Sequence, residues 1–216
     1  VPTRSVTSNG MTVLFLEQHF LPTVEIHALV KVGSAQDPPD KAGLANLTAS
    51  LLDEGTLTRT SRQIAEQIDF VGGSLEAHAA EDFTTASTRV LKKDADLGFA
   101  LLADMLQHPA FHKQEFERVR TQILGEIVSD DDDPGNVAMK AFHQLIFHGH
   151  PYSWPAHGTE ETLNKITVAD IQQFHAREYL PNQTILVIVG DLTQDQAAAL
   201  VQTHFGSWKK GPPSPY

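Results

Sequence analysis

The sequence predicts an α+β domain, an antiparallel-rich β-sheet with helices packed on one face, and three observations carry that expectation. Segments of period two lie towards both ends of the chain, segments of helical period fill the middle, and Gly and Pro mark the borders between them. The 216 residues, 41% of them hydrophobic, suffice to bury a substantial core.

Ser8-Asn9-Gly10-Met11 sets an Asn-Gly turn between residues 3–7 and the apolar residues 12–16, which predicts a hairpin. Over residues 24–32, Val24, Ile26, Ala28, Val30 and Val32 alternate with Glu25, His27, Leu29 and Lys31, so a third strand buries one face. After Pro38-Pro39, Asp40 is placed to cap a helix running to about Asp53, with Leu44, Leu47 and Leu51 at helical spacing and Gly55 as its stop. Thr60 or Ser61 then caps a second helix carrying Ile64, Ile68 and Phe70 and ending at Gly72-Gly73. Residues 74–80 and 83–91 read as strands joined by the acidic turn Glu81-Asp82.

Helical periodicity covers residues 95–106, 113–128 and, beyond Pro134, as far as 147. The four aspartates at 130–133 read as a loop and helix N-cap, because anions favour a helix N-terminus and Pro suits its first turn. Being adjacent, they lack the spacing of a calcium loop. A helix over 168–179, a strand over 184–189 and a last helix over 194–204 complete the pattern. The tail Gly211-Pro212-Pro213-Ser214-Pro215 has linker composition, so one domain is expected over 1–210 and the start of an interdomain linker over 211–216.

Sixteen Lys and Arg against twenty-seven Asp and Glu give a formal charge of -11 without a basic cluster, which argues against nucleic acid and anionic membrane as partners. The longest apolar run, near residues 185–189, is far short of the roughly 20 residues of a membrane span, so a soluble chain is expected. Absence of Cys excludes disulfides and thiolate metal sites. A start at Val1, with neither Met nor a signal-peptide core, is compatible equally with a processed terminus and with a trimmed chain.

One segment carries a chemical question. Residues 43–52, followed by Gly55-Thr56, resemble the signature of the M16 (pitrilysin-type) zinc peptidases, in which a helix presents His-x-x-Glu-His before a Gly-Thr turn. That spacing suits the chemistry, since two imidazoles four residues apart hold zinc from one helical face while the Glu activates the bound water. Here the three positions are Asn46, Ala49 and Ser50. Two neutral oxygen groups bind zinc poorly and Ala49 cannot accept a proton, so no catalytic residue, metal or cofactor is expected.

The resemblance extends along the chain. Residues 117–126 are similar to the family's second helix, whose last Glu, here Glu126, supplies the third ligand; Val119 stands where an accompanying acid is expected. His150-Pro151-Tyr152, Gly158-Thr159-Glu160, Tyr179-Leu180-Pro181-Asn182 and Val189-Gly190-Asp191 match a structural stretch, and Asp104, Pro109 and Phe111 add to it. With its Val119 and Ile123 neighbours, Glu126 should be partly buried, hydrogen-bonded by Asn46, Ser50 or water as a remnant of a lost site.

The resemblance further implies that Ser74, Leu75, Glu76, Ala77 and His78, with Ala79, form an edge strand to which peptides add by main-chain hydrogen bonds. It implies a noncatalytic subunit without intrinsic peptidase activity, paired with a zinc-bearing M16 subunit as a heterodimer in a bacterial periplasm or export compartment, where the two close a peptide-degrading chamber. The alternatives are a structural core protein of a larger assembly and a stand-alone peptide-binding module. His148, His150 and His157 share no helical face and read as loop residues, and Ser50, Ser61 and Ser74 lack any nucleophile motif. Gly72-Gly73 has no phosphate-loop context.

Overall fold

The computed structural model describes residues 1–212, so residues 213–216 of the expected linker lie outside the described residues. The Asn-Gly turn forms as anticipated: Gly10 adopts φ 89°, Thr7 and Met11 close the turn, and β1 (Thr3–Val6) pairs antiparallel with β2 (Thr12–Glu17). β3 (Thr23–Val30), β4 (Ser74–Ala79), β5 (Thr84–Leu91) and β6 (Thr184–Gly190) complete one sheet of order β1-β2-β6-β3-β5-β4. Every neighbouring pair is antiparallel except β2 with β6. The late strand β6 thus occupies the middle of the sheet, between two early ones.

Alternation sets the faces. Val24, Ile26, Ala28 and Val30 of β3 point with Ala86 and Val90 of β5 and Leu186 and Ile188 of β6 into the core, and all are buried. Among the described residues eight helices follow in order: α1 (Leu44–Ala49), α2 (Ser61–Phe70), α3 (Ala95–Gln107), α4 (Lys113–Asp131), α5 (Pro134–Ile146), α6 (Glu160–Leu163), α7 (Val168–Glu178) and α8 (Gln194–Phe205). Val90 packs with Ile68 and Leu101 in a smaller cluster, while Phe99 and Leu102 of α3, Ile171 and Phe174 of α7 and Phe205 of α8 join the main buried one. Fully burying such a side chain contributes roughly 1.5–3 kcal/mol each, which makes this cluster the main stabiliser of the domain. Capping boxes at Thr60, Thr167 and Thr193 start α2, α7 and α8.

Two sequence expectations change. The helix expected over residues 40–53 is cut to six residues, because Ala42 is extended and Gly43 left-handed at φ 96°, and a Cβ at Gly43 would sit 2.7 Å from the His157 carbonyl oxygen. Asp40 therefore caps nothing, and Asp37 caps α1 in its place. The acidic loop is also shorter than expected: α4 runs on to Asp131, while Asp133 accepts hydrogen bonds from the Gly135 and Asn136 amides as the N-cap of α5. Among the described residues no helix is long and apolar enough to cross a membrane.

Candidate functional site

The site is built around α1. Asp37 is buried, and its two carboxylate oxygens accept separately from the Gly43 and Ala45 amides, both at 2.9 Å, satisfying donors that the helix start leaves open. Burial pushes this carboxyl up to about 7, against the pull of those amides. The segment around Gly158 braces the same start: Thr162 Oγ1 donates to the Ala42 carbonyl oxygen at 2.8 Å, and a Cβ at Gly158 would lie 2.2 Å from that oxygen.

Along α1, Leu44, Ala45, Leu47, Thr48 and Ala49 are buried, while Asn46 and Ser50 are the half-exposed positions. Asn46 and Ser50 thus share a face four residues apart. Ala49, at 0% exposure, does not. The helix ends in tight turns, with the Leu51 amide donating to the Thr48 carbonyl and the Leu52 amide to that of Ala49.

Beyond α1, two ion pairs pin the exit loop to the helices. Asp104 accepts from Thr56 Oγ1 at 2.7 Å, Thr58 Oγ1 at 2.8 Å and Arg59 Nη1 at 2.5 Å. Burial pushes the Asp104 carboxyl up, but those three donors outweigh it and hold it below its ordinary value. Glu54 takes Arg118 Nη2 at 2.5 Å and Ser61 Oγ at 3.1 Å, which ties the loop to α4 and α2. Asp53 beside it is raised to about 6, first by burial and then by the charge of Glu54.

Glu126 departs from its expected environment. It is exposed on α4, and Gln122 Nε2 donates to it at 3.0 Å; no hydrogen bond joins it to Asn46 or Ser50 among the described residues. The reason is the phase of α4, which turns Phe116, Val119, Ile123 and Ile127 inwards and leaves Glu126 at the solvent border. Among the described residues no group of three His, Cys, Asp or Glu side chains is placed to hold a metal ion. His150 accepts from the Tyr152 amide as an N-cap, and His157 lies 3.9 Å from Asp130, so the histidines near Pro151 serve separate local roles.

β4 is an edge strand, paired with β5 alone. Ser74, Glu76 and His78 are exposed on the side away from the helices, and Leu75, Ala77 and Ala79 are half-buried on the side that α1 and α2 pack against. The turn after β4 is occupied, since the Ser34 and Ala35 amides donate to the Ala80 and Glu81 carbonyls. Tyr152 fixes the same turn from outside by donating its hydroxyl to Asp82 at 2.6 Å. The free edge therefore runs from Ser74 to Ala79, next to α1. Asp37, Glu54 and Arg118, which hold α1 and its exit loop, carry no motif; only the run of short loops around Gly43 and Gly55 hints at them.

The model of the insulinase peptidases, family M16, matches residues 12–160, and the model of the M16 inactive domain matches residues 165–216. An uncharacterized zinc protease of Mycobacterium leprae is 32% identical over 94% of this chain and 46% of its own length. One from Rickettsia felis is 28% identical over 96% of this chain and 50% of its own. The chain thus spans about half the length of the curated relatives it matches. Among solved structures, a peptidase M16 inactive domain from Pseudomonas fluorescens superposes with TM-score 0.94 at 27% identity, covering all of this chain and 53% of the other. The periplasmic protease PqqL from Escherichia coli shares the fold, with TM-score 0.90 at 18% identity over all of this chain and 25% of its own.

Proposed function

We propose that this chain, which belongs to the insulinase family of peptidases, family M16, serves there as a noncatalytic domain that pairs with a zinc-bearing M16 subunit. The observation that carries the reading is the donor set on α1. Asn46 and Ser50 offer neutral oxygens where zinc needs imidazole, and Ala49 offers no base and is buried besides. Glu126, at the position of the family's third ligand, is engaged with Gln122. This set does not fit zinc, and no hydrolytic step runs through it.

The role left to the domain is to hold peptide. β4 presents an unpaired edge beside α1, and an extended peptide would add to it by main-chain hydrogen bonds, irrespective of any metal. The chamber, the heterodimer and an exported, periplasmic setting belong to the same proposal; the fold shared with a periplasmic protease supports the last. Because several relatives are named zinc proteases, metal analysis is the decisive test. The purified chain should contain substoichiometric zinc and show no chelator-sensitive peptide hydrolysis, alone, and should increase hydrolysis when mixed with a zinc-bearing M16 partner. One zinc per chain, with hydrolysis that chelator abolishes, would refute the proposal.

A further inference from the structure

β4 carries one side chain that its surroundings leave without a partner. Ser74, Glu76 and His78 project from the outer side of the strand, opposite Arg89, Ser87 and Thr85 of β5. Arg89 is engaged with Glu25 at 3.3 Å, and His78 shares a hydrogen bond of 2.9 Å with the Thr85 hydroxyl. Glu76 is exposed and faces the short Ser87, and among the described residues no hydrogen bond or ion pair reaches its carboxylate. The flanking chain holds no cation for it. Residues 63–88 contain no Lys or Arg, whereas Glu66, Asp69, Glu76, Glu81 and Asp82 lie among them. Arg62 pairs with Glu66 and the Tyr152 hydroxyl bonds Asp82, so Glu76 stands unmatched at the middle of the free edge.

A peptide strand added to β4 repeats on one side the geometry that β5 shows on the other. Side chains of paired residues stand on the same face with Cβ atoms about 4.5–5.5 Å apart, and alternation sends the peptide's next residues to the opposite face. The residue paired with Glu76 therefore sits beside a carboxylate. Its two neighbours sit beside Leu75 and Ala77, which are half-buried against the core on the side of α1. We propose that Glu76 makes this edge select extended peptides with Lys or Arg at the paired residue and apolar side chains on either side of it. The site is the strand edge, and the carboxylate chooses among the peptides that the edge takes. This holds only if β4 binds peptide as proposed above, and it adds the class of peptide. A cross-strand pair of opposite charges is favourable and a pair of like charges unfavourable, so discrimination between Lys and Glu draws on both. The chain's formal charge of -11 assists the same choice at longer range.

The test is fluorescence anisotropy of labelled peptides titrated with the 216-residue chain. The peptides alternate Thr and Val over about nine residues, with Thr at both ends and the central Thr replaced by Lys, Gln or Glu. Each charge step, Glu to Gln and Gln to Lys, should tighten binding by about two- to fivefold at low salt, and about 0.5 M salt should compress the series. Glu76→Gln should bring the Lys and Glu peptides to within about twofold of each other, and Glu76→Lys should invert their order. Because the side chain is exposed, circular dichroism should show both variants folded. A peptide methylated on alternate backbone nitrogens cannot pair with an edge and tests β4 itself. If it binds as well as its parent, or if no peptide binds, β4 is not a peptide-binding edge and both proposals fall. If the parents bind and the methylated peptide does not, but Lys, Gln and Glu bind alike or their order survives Glu76→Gln, the edge stands and the assignment to Glu76 is overturned.

Discussion

Replacing Asp37 by Asn separates two opposing effects at the start of α1. The carboxylate accepts from Gly43 and Ala45 with different oxygens, and an amide keeps only one acceptor, so one buried N–H would face an NH2 group. Leaving that donor unsatisfied costs about 1–3 kcal/mol. Against this stands the burial that raises the carboxyl from its ordinary 3.8 to about 7. A carboxyl whose folded pKa lies above its unfolded value binds more protons in the native state, so its contribution to stability falls as pH rises from about 4 to about 7 and is flat beyond. At about 1.4 kcal/mol per pH unit this penalty is bounded at about 4 kcal/mol at neutral pH. Urea unfolding of wild type and Asp37→Asn at pH 5 and pH 8 measures both effects. Any advantage of the wild type over Asp37→Asn should be larger at pH 5, where the native carboxyl is mostly protonated, and should shrink or reverse by pH 8. An advantage that instead grows towards pH 8 would falsify the claim that burial outweighs the two amides.

Other outcomes follow from the same contacts. Asp104→Ala removes the acceptor shared by Thr56, Thr58 and Arg59 and should cost about 1–3 kcal/mol in chemical unfolding. Because that carboxyl is held below its ordinary value, its contribution is present above about pH 4 and is lost as pH falls through the lower folded pKa, so Asp104→Asn should flatten the acid limb of the stability curve. Gly43→Ala places a methyl 2.7 Å from the His157 carbonyl in a left-handed backbone and should lower the melting temperature, at about 1–2 kcal/mol for the conformation before the contact is added. Phe99→Ala, in the fully buried core, should cost about 3–5 kcal/mol. Glu126→Gln should stay within about 0.5 kcal/mol of wild type, and a larger loss would show that this exposed side chain has a partner beyond Gln122.

Much of the architecture was legible in local chemistry. The Asn-Gly turn, the alternation of β3 and the Thr60 cap each depend on residues within a few positions of one another, and each forms as expected. The start of α1 was not legible, because the capping carboxylate reaches across Pro38-Pro39 to amides six and eight residues on, and a left-handed Gly43 intervenes. The place of Glu126 was not legible for a related reason: periodicity marks a border position without telling which neighbour will meet it, and Gln122 of the same helix does so, not α1. α5 makes the limit plainest. Its pattern announced an apolar side correctly, yet nothing in the pattern says that the polar side would turn to the body of the domain. The positions Asn46, Ala49 and Ser50 were legible as chemistry, while the burial of Ala49 needed the fold.

The central place of β6 sets the order in which this domain can be completed. β2 and β3 are neighbours in the chain but not in the sheet, and the gap between them is filled only by residues 184–190. During synthesis both strands wait with open edges and apolar faces until more than 150 further residues have emerged, which brings a large loop-closure entropy and a long exposure to wrong pairing. Folding should therefore be slow for a chain of this size, with the hairpin of β1 and β2 and the pair of β4 and β5 formed early and the middle strand inserted last.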